Sequence, residues 1–296
     1  MEYVARSTSR TTRFLERIPV LGAVLQRPLG ALGFSIVLIF VLTTIFAPLI
    51  APYSDTKQDF SAIFQPPSRA HLLGTDNLGR DLFSRIVYGT RIEMSAALPA
   101  VTIGLTFGLL LGLLAGYLGG GVDNVIVVLL DSIQAFPSLV LALAILAVLG
   151  PSLTNVILVI GLALIPGYAR VTRSQVKSVK NNDYIQVEYN LGASTGRIIR
   201  MHILPNIIAP LVILISMDLP VVITFEAGLS FLGLGVRPPA PSWGVILSDG
   251  FKFIFNSPWP VMSAAFALIL VTLGFTLFGE TLRDVLDPRL SGTEGG

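Results

Sequence analysis

Residues 181–206 read NNDYIQVEYNLGASTGRIIRMHILPN. Two helix-punctuation patterns stand back to back in this stretch. Asn182 or Asp183 can cap a first short helix, in which Tyr184, Val187 and Leu191 fall at i, i+3 and i+7 on one face. Gly192 follows, the residue type that closes a helix in the left-handed conformation. Ser194 or Thr195 can cap a second helix, which carries Ile198, Ile199 and Ile203 into the next apolar run. Pro205 stands where that helix must bend. A helix–glycine–helix elbow with one apolar face has the shape of an element that lies in a partner's groove. An ordinary connecting loop packed on its own chain fits the same residues.

Outward from the elbow the sequence turns apolar on both sides. Residues 153–169 carry no charge, and residues 207–234 carry only Asp218 and Glu226. Further runs lie at 31–51, 94–118, 122–149 (interrupted by Pro137) and 258–279. A helix needs about 20 apolar residues to cross the hydrocarbon core, so these runs predict an all-α membrane protein with six transmembrane helices. Composition agrees. Of 296 residues, 53% are hydrophobic and 13% charged, against roughly 25% charged in soluble domains. That leaves too few charges to coat a water-facing surface, so lipid is an expected partner. A net charge of +2 provides no dense basic face for nucleic acid. The absence of Cys excludes disulfides, thiol nucleophiles and thiolate metal sites, and His71 and His202 are the only imidazoles. The basic N-terminus does not read as a signal peptide, because the first apolar run is long and no small-residue cleavage site closes it.

Basic residues orient the spans, since cytoplasmic loops retain Lys and Arg. The N-terminal tail has Arg6, Arg10, Arg13, Arg17 and Arg27 against Glu2 and Glu16. The elbow region has Arg170, Arg173, Lys177, Lys180, Arg197 and Arg200 against Asp183 and Glu188. Six spans starting inside place both segments, and the C-terminus, in the cytoplasm. The expected organisation is a cytoplasmic tail at 1–30, a first span at 31–51, an extracytoplasmic loop at 52–90, a five-helix transmembrane domain at 91–283 with a cytoplasmic loop at 171–206, and a tail at 284–296. Within the outer loop, Leu82, Phe83, Ile86 and Val87 recur at helical spacing beside Arg80, Asp81 and Arg85. That pattern suggests a short amphipathic helix on the membrane surface, capped by Thr75 or Asp76. Arg80 and Asp81 read as a solvated surface pair, and Trp243 as an interfacial anchor.

Gly104, Gly108, Gly112 and Gly116 recur every four residues in the second span. Such a stripe lets another helix approach closely; lining a moving passage is the alternative. Asp131, Asp218 and Glu226 lie within or near spans. An ionisable side chain there costs at least about 2.5 kcal/mol, so each should face the bundle interior, water or another chain. They could line a passage, brace neighbouring helices, or relay protons; Glu226 is placed first as a helix contact.

The elbow resembles the coupling loop of ATP-binding-cassette importer permeases, which reads Glu-Ala-Ala, three residues, Gly, nine residues, then Ile-x-Leu-Pro. Gly192, Leu204 and Pro205 match at this spacing. Gln186, Val187 and Glu188 stand at the Glu-Ala-Ala positions, and His202 at the Ile position. Further segments resemble the C-type subunits of the dipeptide, oligopeptide and nickel branch. They are LGTDNLGRDLFSR at 73–85, Gly116-Tyr117 with Gly119-Gly120 and Asp123, Ala135-Phe136-Pro137-Ser138-Leu139, and Tyr168-Ala169-Arg170. LSFLGLG at 229–235, Pro238-Pro239, Ser242-Trp243-Gly244, Leu282-Arg283-Asp284 and Asp287-Pro288-Arg289 complete the set. Val128 departs from it, where an Arg is expected as a neighbour for Asp131.

The resemblance implies a type I importer permease in a bacterial inner membrane, forming half of a path for peptides or related solutes. It implies partners: a second homologous permease, two ATPase subunits and an extracytoplasmic solute-binding protein. The elbow residues Tyr184, Gln186, Val187, Glu188, Gly192, Ala193, Leu204 and Pro205 would meet the ATPase. No G-x-x-x-x-G-K-[ST] loop is present, so ATP and magnesium would belong to the partners, with no cofactor in this chain. A proton-coupled carrier, or an intramembrane enzyme using Asp131 and Asp218, remains the alternative from the acids alone. Replacing both aspartates by Asn separates these readings. Either alternative loses all activity in a vesicle assay, whereas an ATP-driven permease need not.

Overall fold

A computed structural model describes residues 19–286. Arg6, Arg10, Arg13, Arg17 and the 287–289 motif lie outside the described residues. Among the described residues there are helices and loops but no strand. In chain order the helices are α1 (Pro19–Gln26), α2 (Pro28–Ile50), α3 (Leu82–Leu118), α4 (Gly120–Gln134), α5 (Ser138–Leu149), α6 (Leu153–Lys180), α7 (Asp183–Asn190), α8 (Thr195–Ile198), α9 (Leu204–Phe231), α10 (Trp243–Lys252) and α11 (Trp259–Leu286). α2, α3, α6, α11 and the continuous helix through α8 and α9 are long and apolar enough to cross a membrane. The sixth expected span is the pair α4 and α5, bent by 82° around Pro137. The proline cannot donate the bond that would continue α4, so the run from 122 to 149 breaks there.

The tightest packing joins α3 to α6. Ideal Cβ atoms at Gly104, Gly112 and Gly116 would stand 2.6, 2.5 and 2.8 Å from the Cβ atoms of Leu164, Thr172 and Val176. At Gly108 a Cβ would meet the Ile165 carbonyl at 2.9 Å. The glycine stripe is thus a helix–helix seam, filled at each turn by a residue of α6. α2 packs on α11 by the same means, with a Cβ at Gly33 placed 2.5 Å from the Phe278 nitrogen. Phe40, Trp243 and Phe275 stack where α2, α10 and α11 converge, with ring centroids 6.0 Å apart for each Phe40 pair.

Two ends of the bundle differ. One carries the loop between α2 and α3, and the other carries the elbow. At the loop end, the expected amphipathic helix is not a separate element. Leu82–Val87 form the first turns of α3, a single helix of 37 residues. Asp81, not Thr75 or Asp76, caps it, accepting from the Ser84 N–H at 2.8 Å. Arg80 and Asp81 are buried, correcting the expectation of a solvated pair. Arg80 Nε bonds Asp76 at 2.7 Å, and His71 Nδ1 meets Asp81 at 2.9 Å. The loop folds back over α10: Phe64 stacks on Phe253, and Arg80 reaches toward Asp249 at 3.9 Å. Asp59 caps a single 3-10 turn, Phe60–Ala62. The Ser61 hydroxyl, and then the Ser61 N–H, hold its carboxyl below the usual carboxylate range.

At the other end, α1 lies on α11 within what the sequence suggested was tail, and Arg27 pairs with Asp284 at 3.0 Å. Gly112→Val should force the seam apart and cost about 1–3 kcal/mol by overpacking. Gly167→Ala, with open space at its Cβ, should melt like wild type. Asp81→Ala should lower stability by about 1–2 kcal/mol through the lost cap. Thermal unfolding of the three detergent-purified variants checks this order.

Candidate functional site

The elbow is built as its sequence suggests. α7 ends in a Schellman arrangement: the Gly192 N–H donates to the Tyr189 carbonyl at 3.0 Å, and the Ala193 N–H to the Glu188 carbonyl at 3.0 Å. Gly192 has φ +82°, in the region that favours glycine, and nothing lies within 4 Å of its Cβ position. Ser194 caps the second leg by accepting from the Arg197 N–H. Asn182 is the N-cap of the first by backbone position, without a side-chain bond. Pro205 follows a π-helical stretch, Ile199–Ile203, in which the Leu204 N–H reaches back to the Ile199 carbonyl. That wider turn absorbs the proline's missing donor, and the helix continues to Phe231.

Ile185 anchors the first leg, and Ile198 and Ile203 the second. Ile185 and Ile198 are buried, whereas Tyr184, Val187 and Leu191 face outward, Leu191 at 80% exposure. Tyr189, at 66%, adds to this face. Gln186 is exposed and donates to the Lys180 carbonyl at 3.2 Å. Glu188 lies 3.7 Å from His202 Nε2, and Tyr184 sets its ring 5.9 Å from that imidazole, so the two legs touch. Ala193 and Leu204 are half-buried against the core, and Pro205 is exposed. The sequence reading named Ile198 but missed Ile185. One inward residue in the short first leg leaves no periodic signal, while the outward face does.

The three membrane acids go to different places. Asp131 is exposed and pairs with Arg170 of α6 at 2.7 Å, so a residue of another helix serves where Val128 does not. Asp218 lies beside the Tyr168 hydroxyl between α9 and α6. Among the described residues no hydrogen bond joins Asp131 to Asp218, so the pair needed for an aspartyl mechanism is not assembled. Glu226 is fully buried against α3 and α10. Asp123, which the sequence reading noted only as part of a turn, takes Arg173 in a two-pronged pair and Lys177 at 2.6 Å. These bonds tie α4 to α6 just before the elbow. Trp243 is buried, not interfacial: its Nε1–H donates to the Ile86 carbonyl at 3.0 Å.

Known proteins resemble the chain along nearly its whole length. The family model for the inner membrane component of binding-protein-dependent transport systems matches residues 108–292. The model for the N-terminal transmembrane domain of oligopeptide transport permease C matches residues 23–67. The dipeptide transport system permease protein DppC of Alkalihalophilus pseudofirmus is 43% identical over 90% of this chain and 87% of its own. That of Haemophilus influenzae is 41% identical over 88% and 91%. The glutathione transport system permease protein GsiD of Shigella flexneri is 41% identical over 86% and 85%. In fold, the chain is similar to the MetNI methionine ABC transporter in its inward-facing form. The TM-score is 0.55 and the identity 16%, over 69% of this chain and 96% of that one. A solved amino acid ABC transporter gives a TM-score of 0.54 at 18% identity, over 68% and 94%. The chain belongs to the binding-protein-dependent transport system inner membrane component family, as a permease subunit of an ATP-binding-cassette importer and not itself an enzyme.

Proposed function

We propose that the exposed face of the elbow docks into a groove on an ATPase subunit and that the chain imports short peptides. The observation that carries this reading is Tyr184, Val187, Tyr189 and Leu191 standing exposed on a rigid turn fixed by Gly192. Such a face loses water only against a partner, and a helix with an apolar face is a standard occupant of a protein groove. Gln186, Glu188, Ala193, Leu204 and Pro205 shape and brace the turn. Two ATPase subunits, with their ATP and magnesium, would each take one elbow. One elbow comes from this chain and one from a second homologous permease that completes the pathway. Dipeptide and glutathione transport in the relatives' names supports short peptides as cargo, delivered by an extracytoplasmic binding protein.

The elbow lies in the cytoplasm with both termini. Supporting this, Arg170, Arg173, Lys177, Lys180, Arg197 and Arg200 crowd the elbow end. Closure of the ATPases would draw the elbows together. The α4–α6 ion pairs and the α3–α6 seam would carry that movement into the spans. No covalent chemistry and no cofactor in this chain is required. Asp131 and Asp218 then act as helix braces or pathway lining.

Gly192→Pro, or deletion of 184–193, should abolish uptake of labelled dipeptide while leaving membrane insertion intact. Normal uptake in a stably inserted deletion would defeat the docking assignment. Orientation has its own test, made simple by the absence of Cys. In intact cells an impermeant maleimide should label Ser68→Cys and spare Leu191→Cys until permeabilisation; the reverse pattern overturns the topology. Mild-detergent purification should bring down Walker-A ATPases and a second permease. ATP-independent uptake by the isolated chain in sealed vesicles would instead establish a secondary carrier.

A further inference from the structure

A second polar cluster lies away from the elbow, at the loop end, where α3, α9 and α10 meet. Glu93 of α3 and Glu226 of α9 are each 0% exposed, and the Ser242 hydroxyl stands within hydrogen-bonding distance of both carboxyls. Around them stand Ser230 of α9, Ser242 at the cap of α10, and the first backbone nitrogen of α10, all buried. None of the ion pairs among the described residues includes either carboxyl. Two adjoining carboxylates without a cation repel one another, and in a desolvated site they cannot both remain ionised.

Counting donors identifies what is missing. The Ser230 hydroxyl donates to Glu226 Oε1 at 2.6 Å. The Trp243 N–H donates to Glu93 Oε1 at 3.0 Å. The Ser242 hydroxyl has one proton and lies 3.2 Å from Glu226 Oε2, 3.3 Å from Glu226 Oε1 and 3.5 Å from Glu93 Oε1. Both hydroxyl oxygens are themselves occupied as acceptors, from the Val236 and Gly244 N–H groups. Three protons therefore face four carboxyl oxygens, and Glu93 Oε2 is buried with no donor. Buried acceptors are rarely left so. A proton on one carboxyl supplies the fourth donor and removes one of the two charges.

We infer that Glu93 and Glu226 form a buried proton-binding site, in which one shared proton fastens α3 to α9 and α10. The ligand is a proton and not a metal ion: both carboxyls already share the Ser242 hydroxyl, and among the described residues no group of three or more metal-ligating His, Cys, Asp or Glu side chains occurs. This inference is independent of the elbow's role.

Infrared spectroscopy of the full purified chain, compared with Glu93→Gln and Glu226→Gln, tests it. Wild type should show a protonated-carboxyl carbonyl band that disappears in both single variants, because the remaining carboxylate then accepts from the Gln amide. Each Gln variant should melt near wild type, since its N–H replaces the shared proton. Glu93→Ala should melt lower, since it leaves Glu226 without that donor. If neither variant removes a band present in wild type, the pair is ionised and the inference fails. If each variant keeps one band of two, both carboxyls are protonated and the shared proton is likewise overturned.

Discussion

The close approach of α3 and α6 along four glycines is the contact on which the other parts depend. Without side chains on α3 at those turns, the two backbones come together and the α6 residues Leu164, Thr172 and Val176 fill the space. Lipid tails offer no hydrophobic drive for helix association, so dispersion at short range has to hold such a pair. The seam fixes the start of α3, where the loop network forms. It also fixes the end of α6, from which the elbow departs.

Charge placement follows from the same geometry. Several acids near the spans are met locally and in different ways. Asp123 and Asp131 draw on Arg173, Lys177 and Arg170, which lie along one stretch of α6. The loop acids Asp76 and Asp81 take Arg80, Arg85 and His71. Glu93 and Glu226 pair with no cation among the described residues and meet at the Ser242 hydroxyl. Burial that would be prohibitive for one ion is tolerated when its partner is built into the adjoining helix or carried as a proton.

Much of this was legible in the sequence. Apolar runs, the glycine stripe and the Asn181–Asn206 punctuation each reflect a local rule, and local rules survive into the fold. The exceptions are tertiary. Nothing in the spacing of Arg80, Asp81 and Trp243 tells that the loop folds over α10 and excludes water from them. The continuation of the amphipathic stretch into α3 was hidden because Arg85, Arg91 and Glu93 look like the end of an apolar run; the first and last of these are buried and Glu93 has polar company. Glu93 itself, 149 residues from its neighbour Ser242, carries no sequence mark of its site.

The 37 residues of α3 have a further mechanical meaning. At 1.5 Å per residue the helix is about 55 Å long, while the hydrocarbon core is about 30 Å thick. Roughly the length of a second short helix therefore stands outside the lipid. Bound to α6 along its far half, α3 behaves as a rigid mast whose stem is stepped in the membrane. A small tilt of the α3–α6 pair at the elbow end then sweeps the folded loop through a wider arc, so the two aqueous faces of the protein cannot move independently.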